Sequence, residues 1–445
     1  MSSDQRTRLK QWIESGEAQL YPLTFPQREL WEASPLPVTD AANHICCLIQ
    51  VQGLLTERDC RAAVQRVAER QEVLRLSFLP GKERPLQMVR KNCEANVVFR
   101  ELAPADGGPE RIEELVTEIF SEPFDLLQGP LYRMVDLRRT ADDHVLAFAI
   151  HHAIADGWSL GVFMQDLFAA YIQELMGAQE PLPPVPLSYT GWGATERAVW
   201  QPGLLEQRAE FWKTNLAATP RIWTAPITPG APRRWLSKIP AAQAGEIQDL
   251  VRRNGATLFS TLLGAFQIAF SKWSGADDVL VGSPVANRSK QTVRDTMGYY
   301  ASIVPLRGQI DRARLVADHL RAVHQMTIHA FANAMPFVEM ARALDEPRTP
   351  GRNPIFEVRF ALQNHPMPEV AAPNLSARLS MRSTGTPRFQ LACEITEDRA
   401  GSEVAWLFRE NLFSQRDIED LDGIFQRVLA GICRSPEGRV SEVLN

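Results

Sequence analysis

The sequence predicts an α/β protein built as two similar lobes with a cleft between them, on three observations. Segments alternating apolar and polar residues, as strands do, take turns along the chain with segments of helical spacing. A proline-rich stretch, Glu180-Pro-Leu-Pro-Pro-Val-Pro-Leu187, cannot lie inside a helix and breaks that succession. Beyond it the same succession resumes, although no residue-by-residue repeat is visible. The boundary is placed there, giving a first lobe of residues 1–180 and a second of 181–445.

Each element follows from its local pattern. Residues 43–51 read as a strand, 56–72 as a helix, 96–102 as a strand and 111–120 as a helix. Residues 130–136 and 144–152 read as an antiparallel pair joined through the polar turn at 138–143. Residues 159–176 form an amphipathic helix, with Leu160, Phe163, Leu167 and Tyr171 on one face and Gly177 as its stop. In the second half, 226–232 is a Pro/Gly loop before another strand, and 247–273 is helical but interrupted near Gly255, where a new N-cap fits. Residues 278–284 return to strand.

Composition removes several function classes. With 45% hydrophobic and 23% charged residues, the 445-residue chain has material for a large core and is not a disordered polymer. A net charge of -5 without a long basic run offers no footprint for a phosphate backbone, so no nucleic-acid partner is expected. No stretch approaches the roughly 18 apolar residues of a membrane span, and the polar first twenty residues make no leader, so a cytoplasmic protein is expected. The six cysteines, at 46, 47, 60, 93, 393 and 433, include no Cys-x-x-Cys and have no histidine at ligand spacing. Reduced thiols are expected. The histidines at 44, 144, 319, 324, 329 and 365 show no ligand pattern either, so no metal and no tightly held cofactor is implied.

One string stands out for chemistry: His151-His152-Ala-Ile-Ala-Asp156-Gly157-Trp158-Ser159, at the end of an apolar strand and the start of a helix. Strand alternation puts His152 on the face of Leu146, Phe148 and Ile150, and His151 on the opposite face, so only one imidazole can face a given cleft. Histidine suits proton transfer near neutral pH because its unperturbed pKa lies near ~6.5. The bare spacing fits a structural histidine pair as well; the full string with its helix makes it a candidate site. A rival overlaps it, since Gly157-Trp-Ser159-Leu-Gly161 fits the Gly-x-Ser-x-Gly elbow of serine hydrolases. An elbow serine sits on the sharp turn after its strand, whereas Ser159 already belongs to the helix. Phosphate-binding glycine strings are absent.

These residues, with others in order along the chain, resemble the condensation domains of nonribosomal peptide synthetases, relatives of chloramphenicol acetyltransferase. Leu23-Thr-Phe-Pro-Gln27-Arg28-Glu-Leu-Trp31 is similar to the family's first motif, Arg70-Gln-Glu72-Val-Leu-Arg75-Leu-Ser-Phe78 to its second and His151 to Ser159 to its third. Met297 to Arg307 resembles the fifth, Asn333 to Phe337 the sixth and Arg348 to Phe356 the seventh. The fourth is eroded: Tyr189-Thr-Gly-Trp192-Gly-Ala194 carries Gly191 where aspartate is usual. Ser302 stands in place of an asparagine, and Gln390 in place of an aspartate.

The resemblance implies two acetyltransferase-like lobes in a V around a channel, and amide formation between a donor acyl thioester and the amine of an aminoacyl group on a carrier protein. His152 would face the channel, as base or as the group that holds the amine. His151 would fix the loop. Asp156 would pair with an arginine, with Arg288 the first choice and Arg70 and Arg75 the alternatives. Gly157 either supplies an N–H to the developing oxyanion or serves only its own dihedral angles; Trp158 either lines the channel or packs in the core; Ser159 opens the helix. The implied partners are a carrier protein with its phosphopantetheine arm and an adjacent adenylation domain. The short stretch before Leu23 points to a starter domain taking its acyl group from coenzyme A, as in lipopeptide synthesis. The alternatives are an elongation domain with a peptidyl-carrier donor, a stand-alone coenzyme A acyltransferase and a degenerate recruitment module.

Overall fold

A computed structural model describes residues 3–444 apart from 35, 81–83, 104–106, 179, 224–231, 347–348, 364–368, 373–374, 383–387 and 399–400. The loop expected at 226–232 (Pro232 excepted), the Arg348 that begins the seventh string and His365 lie outside the described residues. The strands run in chain order β1 (Ala18–Pro22), β2 (His44–Gly53), β3 (Leu76–Leu79), β4 (Leu86–Arg90), β5 (Val97–Glu101), β6 (Tyr132–Arg138) and β7 (Asp143–His151). They continue as β8 (Pro232–Pro240), β9 (Asp278–Val285), β10 (Ser302–Gln309), β11 (Val358–Gln363), β12 (Glu369–Ala372), β13 (Leu375–Arg382), β14 (Leu391–Asp398) and β15 (Gly401–Arg409).

Among the described residues these strands make three sheets. The first lobe carries a six-stranded sheet of order β12-β13-β2-β7-β6-β5, and the second lobe one of order β10-β9-β11-β14-β15-β8. A small sheet, β1-β4-β3, lies beside the first. In β7 every residue from His144 to His151 is buried, because neighbouring strands and a covering helix close both faces. That is why the strand reads as a nearly unbroken apolar run. The antiparallel register of β2 on β7 sets His44 opposite His151.

Capping explains the helix boundaries. Thr56 accepts from the Asp59 N–H to start the helix Glu57–Arg70, and Gly177, at φ +67°, follows the helix Gly157–Leu175. The interruption at Gly255 is a left-handed cap at φ +61°, after which Thr257 and Ser260 form a capping box for the helix Leu258–Ser274.

Two features join the lobes beyond chain order. β13 comes from the second half of the chain yet pairs along its whole length with β2, so β12 and β13 complete the first-lobe sheet. Strand alternation puts Leu375, Ala377 and Leu379 into the first-lobe core while Ser376, Arg378 and Ser380 stay exposed. The connection between β9 and β10 likewise leaves the second-lobe sheet and buries Met297, Tyr299 and Tyr300 in the first-lobe core. Sequence alternation cannot show such exchanges, because they are fixed by long-range pairing.

The exchanged strand should carry first-lobe stability. Leu379→Ala should cost about 2–4 kcal/mol and speed amide exchange along β2, whereas Arg378→Ala on the exposed face should stay within about 0.5 kcal/mol. Chemical denaturation with hydrogen exchange checks both.

Candidate functional site

The site begins where β7 ends. Two backbone bonds pin that end: the His151 N–H donates to the Leu131 carbonyl at 2.9 Å and the His152 N–H to the Asn43 carbonyl at 2.6 Å. The two imidazoles then meet different surroundings.

His151 is fully enclosed and uses both nitrogens. Its Nδ1 accepts from the Ala153 N–H at 3.0 Å, so the proton sits on Nε2, which donates to the Val38 carbonyl at 2.8 Å. Burial pushes its pKa down to about 3, aided by His44 and Arg388 and opposed by the Val38 bond. It is a neutral, fixed ring. His152 keeps partial exposure although protein surrounds it. Its ring packs on Tyr299 with centroids 4.3 Å apart. Burial, then the Arg388 guanidinium, holds its pKa well below 6.5. Nδ1 is buried without a partner from any other described residue, and the histidine's own backbone supplies the one interaction that favours its protonation. Nε2 is the nitrogen left for a substrate.

Asp156 is the N-cap of the helix Gly157–Leu175, two residues earlier than the expected start. Its Oδ1 accepts from the Ser159 N–H (3.1 Å), the Ser159 hydroxyl (2.9 Å) and Arg288 Nη2 (3.0 Å), and its Oδ2 accepts from the Tyr300 N–H (3.1 Å). The Asp156 and Arg288 side chains are 5% and 1% exposed, so the ion pair is buried. Arg288 also donates to the Val293 and Thr296 carbonyls, each at 2.7 Å, and its guanidinium lies 4.1 Å from the Tyr300 ring centroid. The pair ties the first-lobe helix start to the β9–β10 connection.

The remaining residues divide. Ser159, fully buried, exchanges hydrogen bonds with Asp156, Arg288 and the Gly298 backbone. No histidine is among those partners, which removes the hydrolase-elbow arrangement. Gly157 opens the helix and is not among the residues with positive φ, so its missing Cβ is not required by its dihedral angles. Trp158 donates from Nε1 to the Arg294 carbonyl at 3.0 Å, which places it at the lobe junction. Arg70 and Arg75 are not brought to Asp156. Arg70 pairs with Asp166 and donates to the Pro183 carbonyl. Arg75 donates to the carbonyls of Ala68, Arg90 and Lys91.

Sequence reasoning gives no role to three residues that are linked to one another and, through Tyr299 and Arg388, to His152. Tyr299 lies in the fifth string, Glu29 in the first and Arg388 beside Gln390, and only the fold brings them together. Arg388 hydrogen-bonds Tyr299 and donates to Glu29 Oε1 at 3.4 Å. Gln71 is likewise silent in the sequence, although it adjoins Arg70: it donates to Asp166 and the Asp295 carbonyl and accepts from the Met297 N–H, holding the same connection. The described cysteines are all free, and no metal-binding group of His, Cys, Asp or Glu occurs among the described residues. No helix among them is long and apolar enough to cross a membrane.

Two acetyltransferase-like α/β lobes joined over a His-His-x-x-x-Asp-Gly string define an acyltransferase of the chloramphenicol acetyltransferase type. More narrowly, the chain belongs to the condensation domain family, the amide-forming domains of nonribosomal peptide synthetases, whose profile matches residues 17–444. It is 26% identical over 431 residues to tyrocidine synthase 3 of Brevibacillus parabrevis, covering 95% of this chain and 6% of that protein. With phosphinothricin tripeptide synthetase PhsC of Streptomyces viridochromogenes it shares 29% over 355 residues, 77% of this chain and 32% of the other. The chain thus spans a small part of these relatives' length. Among solved structures, a holo four-domain nonribosomal peptide synthetase bound to AMP and glycine matches with TM-score 0.82 at 18% identity, over 95% of this chain and 34% of that one. The first condensation domain of the calcium-dependent antibiotic synthetase, in complex with a substrate analogue, matches with TM-score 0.80 at 18% identity, over 95% and 98%.

Breaking the buried pair from one side leaves a charge without its partner. Asp156→Ala or Arg288→Met should each cost about 3–5 kcal/mol, and the double variant less than the sum. A double-mutant cycle in chemical denaturation measures the coupling.

Proposed function

We propose that this chain condenses a thioester-borne acyl group with the amine of an aminoacyl group held on a carrier protein's phosphopantetheine arm, with His152 at the point of reaction. The observation that carries this reading is the contrast between the histidines: His151 has both nitrogens engaged, and His152 keeps one free on a partly exposed ring. In the proposed reaction the amine nitrogen attacks the thioester carbon and the C–S bond breaks. The proton lost by nitrogen passes through His152 to the departing sulfur. The first N–H groups of the helix Gly157–Leu175 lack intrahelical partners and form its positive end, so the Gly157 N–H suits the developing oxyanion. Asp156 and Arg288 act by position, holding that helix start beside His152.

The lobes in this proposal are residues 1–180 and 181–445, with β12 and β13 exchanged into the first. The carrier and an adenylation domain are the partners, and the working compartment is the cytoplasm. Two donors fit. The starter form, with acyl-coenzyme A, rests on the eroded string around Gly191 and on Ser302. The elongation form, with a carrier-borne peptidyl donor, draws on the likeness to small stretches of much longer synthases, 6% of tyrocidine synthase 3 among them, and we favour it.

His152→Ala should lower amide formation by at least about a hundredfold and lower the thermal melt only by what the ring's packing on Tyr299 contributes. Intact-protein mass of an aminoacyl carrier protein, after incubation with a peptidyl carrier protein or an acyl-coenzyme A series, reads both product and donor. Turnover with coenzyme A thioesters alone, rising with chain length by up to several-fold per buried CH₂ (~0.8 kcal/mol each), makes the domain a starter. Equal activity of His152→Ala and wild type overturns the assignment.

A further inference from the structure

A cavity of about 320 Å³ opens between the lobes. Its exposed residues, among them Val199 and Lys290, mark a mouth; Phe25, Phe337 and Glu29, all buried, mark a closed end. Glu29, 4% exposed, belongs to the helix Phe25–Glu32 and is one of the residues that line the cavity. One oxygen, Oε1, accepts from Arg388; the other, Oε2, is buried with no hydrogen-bond partner among the described residues. A buried carboxylate oxygen without a donor is costly unless something fills the place. The same Arg388 hydrogen-bonds Tyr299, whose ring packs on His152, so Glu29 is linked through Arg388 and Tyr299 to the histidine that the condensation reading makes central.

Resting on that reading, we propose that Glu29 is a catalytic residue of the acceptor side: Oε2 receives the acceptor's ammonium, takes one proton from it, and leaves the neutral amine beside His152. The step balances as ammonium plus carboxylate giving amine plus carboxylic acid. The amine then forms the N–C bond as C–S breaks, its second proton goes through His152 to sulfur, and the Glu29 proton leaves to water through the mouth. Such a group has work to do. An α-amine, with a pKa of roughly 7.7–8.0, arrives protonated at neutral pH and is then no nucleophile. His152, held well below its ordinary pKa by burial and Arg388, is a poor acceptor for that proton. Burial pushes Glu29 up to about 7, against the pull of Arg388, close to the amine it would serve. Other charged or titratable groups near this end are Tyr299, Glu196 across the cavity, pushed up to about 8 by burial, and Lys290 at the mouth. Arg28 and Glu32, on the same helix, are occupied with one another and with the helix Phe337–Ala343.

The test compares binding of two stable probes to the 445-residue chain: glycyl-aminopantetheine, with an amide in place of the thioester, and acetyl-aminopantetheine, which lacks the amine. Wild type should prefer the amine probe by about tenfold at about pH 7.5, and the preference should vanish toward about pH 5.5 as Glu29 protonates. Glu29→Gln should bind the acetyl probe as wild type does and show no preference at either pH; Glu29→Asp should keep part of it. In turnover, the Glu29→Gln defect should shrink between about pH 7 and about pH 9, where the amine arrives neutral, a trend a merely structural role would not give. A preference that Glu29→Gln retains, or that wild type keeps unchanged down to about pH 5.5, overturns the proposal. The wild-type titration decides even if Glu29→Gln does not fold. Failure of wild type to form any amide counts against the condensation reading, and the probe preference then still judges Glu29.

Discussion

The buried pair of Asp156 and Arg288 is the constraint on which the site depends. Two charges taken out of water this completely are tolerated only where their remaining hydrogen-bonding capacity is met. Here both Asp156 oxygens are met and both Arg288 terminal nitrogens are spent on carbonyls, a hydroxyl and the carboxylate, which leaves the Arg288 Nε as the group of the pair without a partner among the described residues. The bond network fixes two backbones at once. On one side it sets where the helix Gly157–Leu175 begins, and so where its free N–H groups lie relative to His152. On the other it sets the 288–300 path that carries Tyr299 onto the His152 ring. A hydrophobic replacement of similar volume could match its stability, but not this double positioning.

Around that pair, the lobes are held by contacts of different kinds. β13 contributes a full ladder, Tyr189 lies 2.8 Å from the Thr24 hydroxyl through its phenol and donates to the Tyr299 carbonyl at 3.0 Å, and Arg28 reaches Glu339 at 2.7 Å. Gly298 sits where a Cβ would come within 2.3 Å of the Tyr189 ring, so the connection packs as closely as a backbone without side chain permits. A rotation of one lobe against the other must therefore break ladder bonds or a buried charge pair together. The cavity beside Glu29 is lined by both lobes, and its width is set by these same contacts.

How much of this was legible in the sequence follows from the range of the interactions. Local patterns showed the β6–β7 pair, the helix after it with its stop at Gly177, and the break near Gly255 with a new N-cap beyond it, because periodicity, capping and left-handed glycine act within a few residues. The strand face that separates His151 from His152 was legible for the same reason. What stayed hidden was long-range: the passage of β12 and β13 into the first sheet, and the meeting of Glu29, Tyr299 and Arg388. Those three are far apart in sequence, and each looks unremarkable in its own string.

The low basicity of His152 suits the proposed reaction better than a histidine of ordinary pKa would. Once a neutral amine attacks a thioester, its nitrogen becomes positively charged and its N–H strongly acidic, so even a weak base can take the proton. The imidazolium formed is then a stronger acid than free imidazolium, because burial and Arg388 both disfavour the charge. It gives its proton readily to a thiolate, whose conjugate acid has a pKa of roughly 8.5. What such a histidine cannot do is strip an ammonium ion in the ground state. The depressed pKa that helps sulfur depart thus calls for a separate group to neutralise the incoming amine. A buried carboxylate that shares Arg388 with His152, raised toward neutrality by burial, answers that need with the opposite sign of shift.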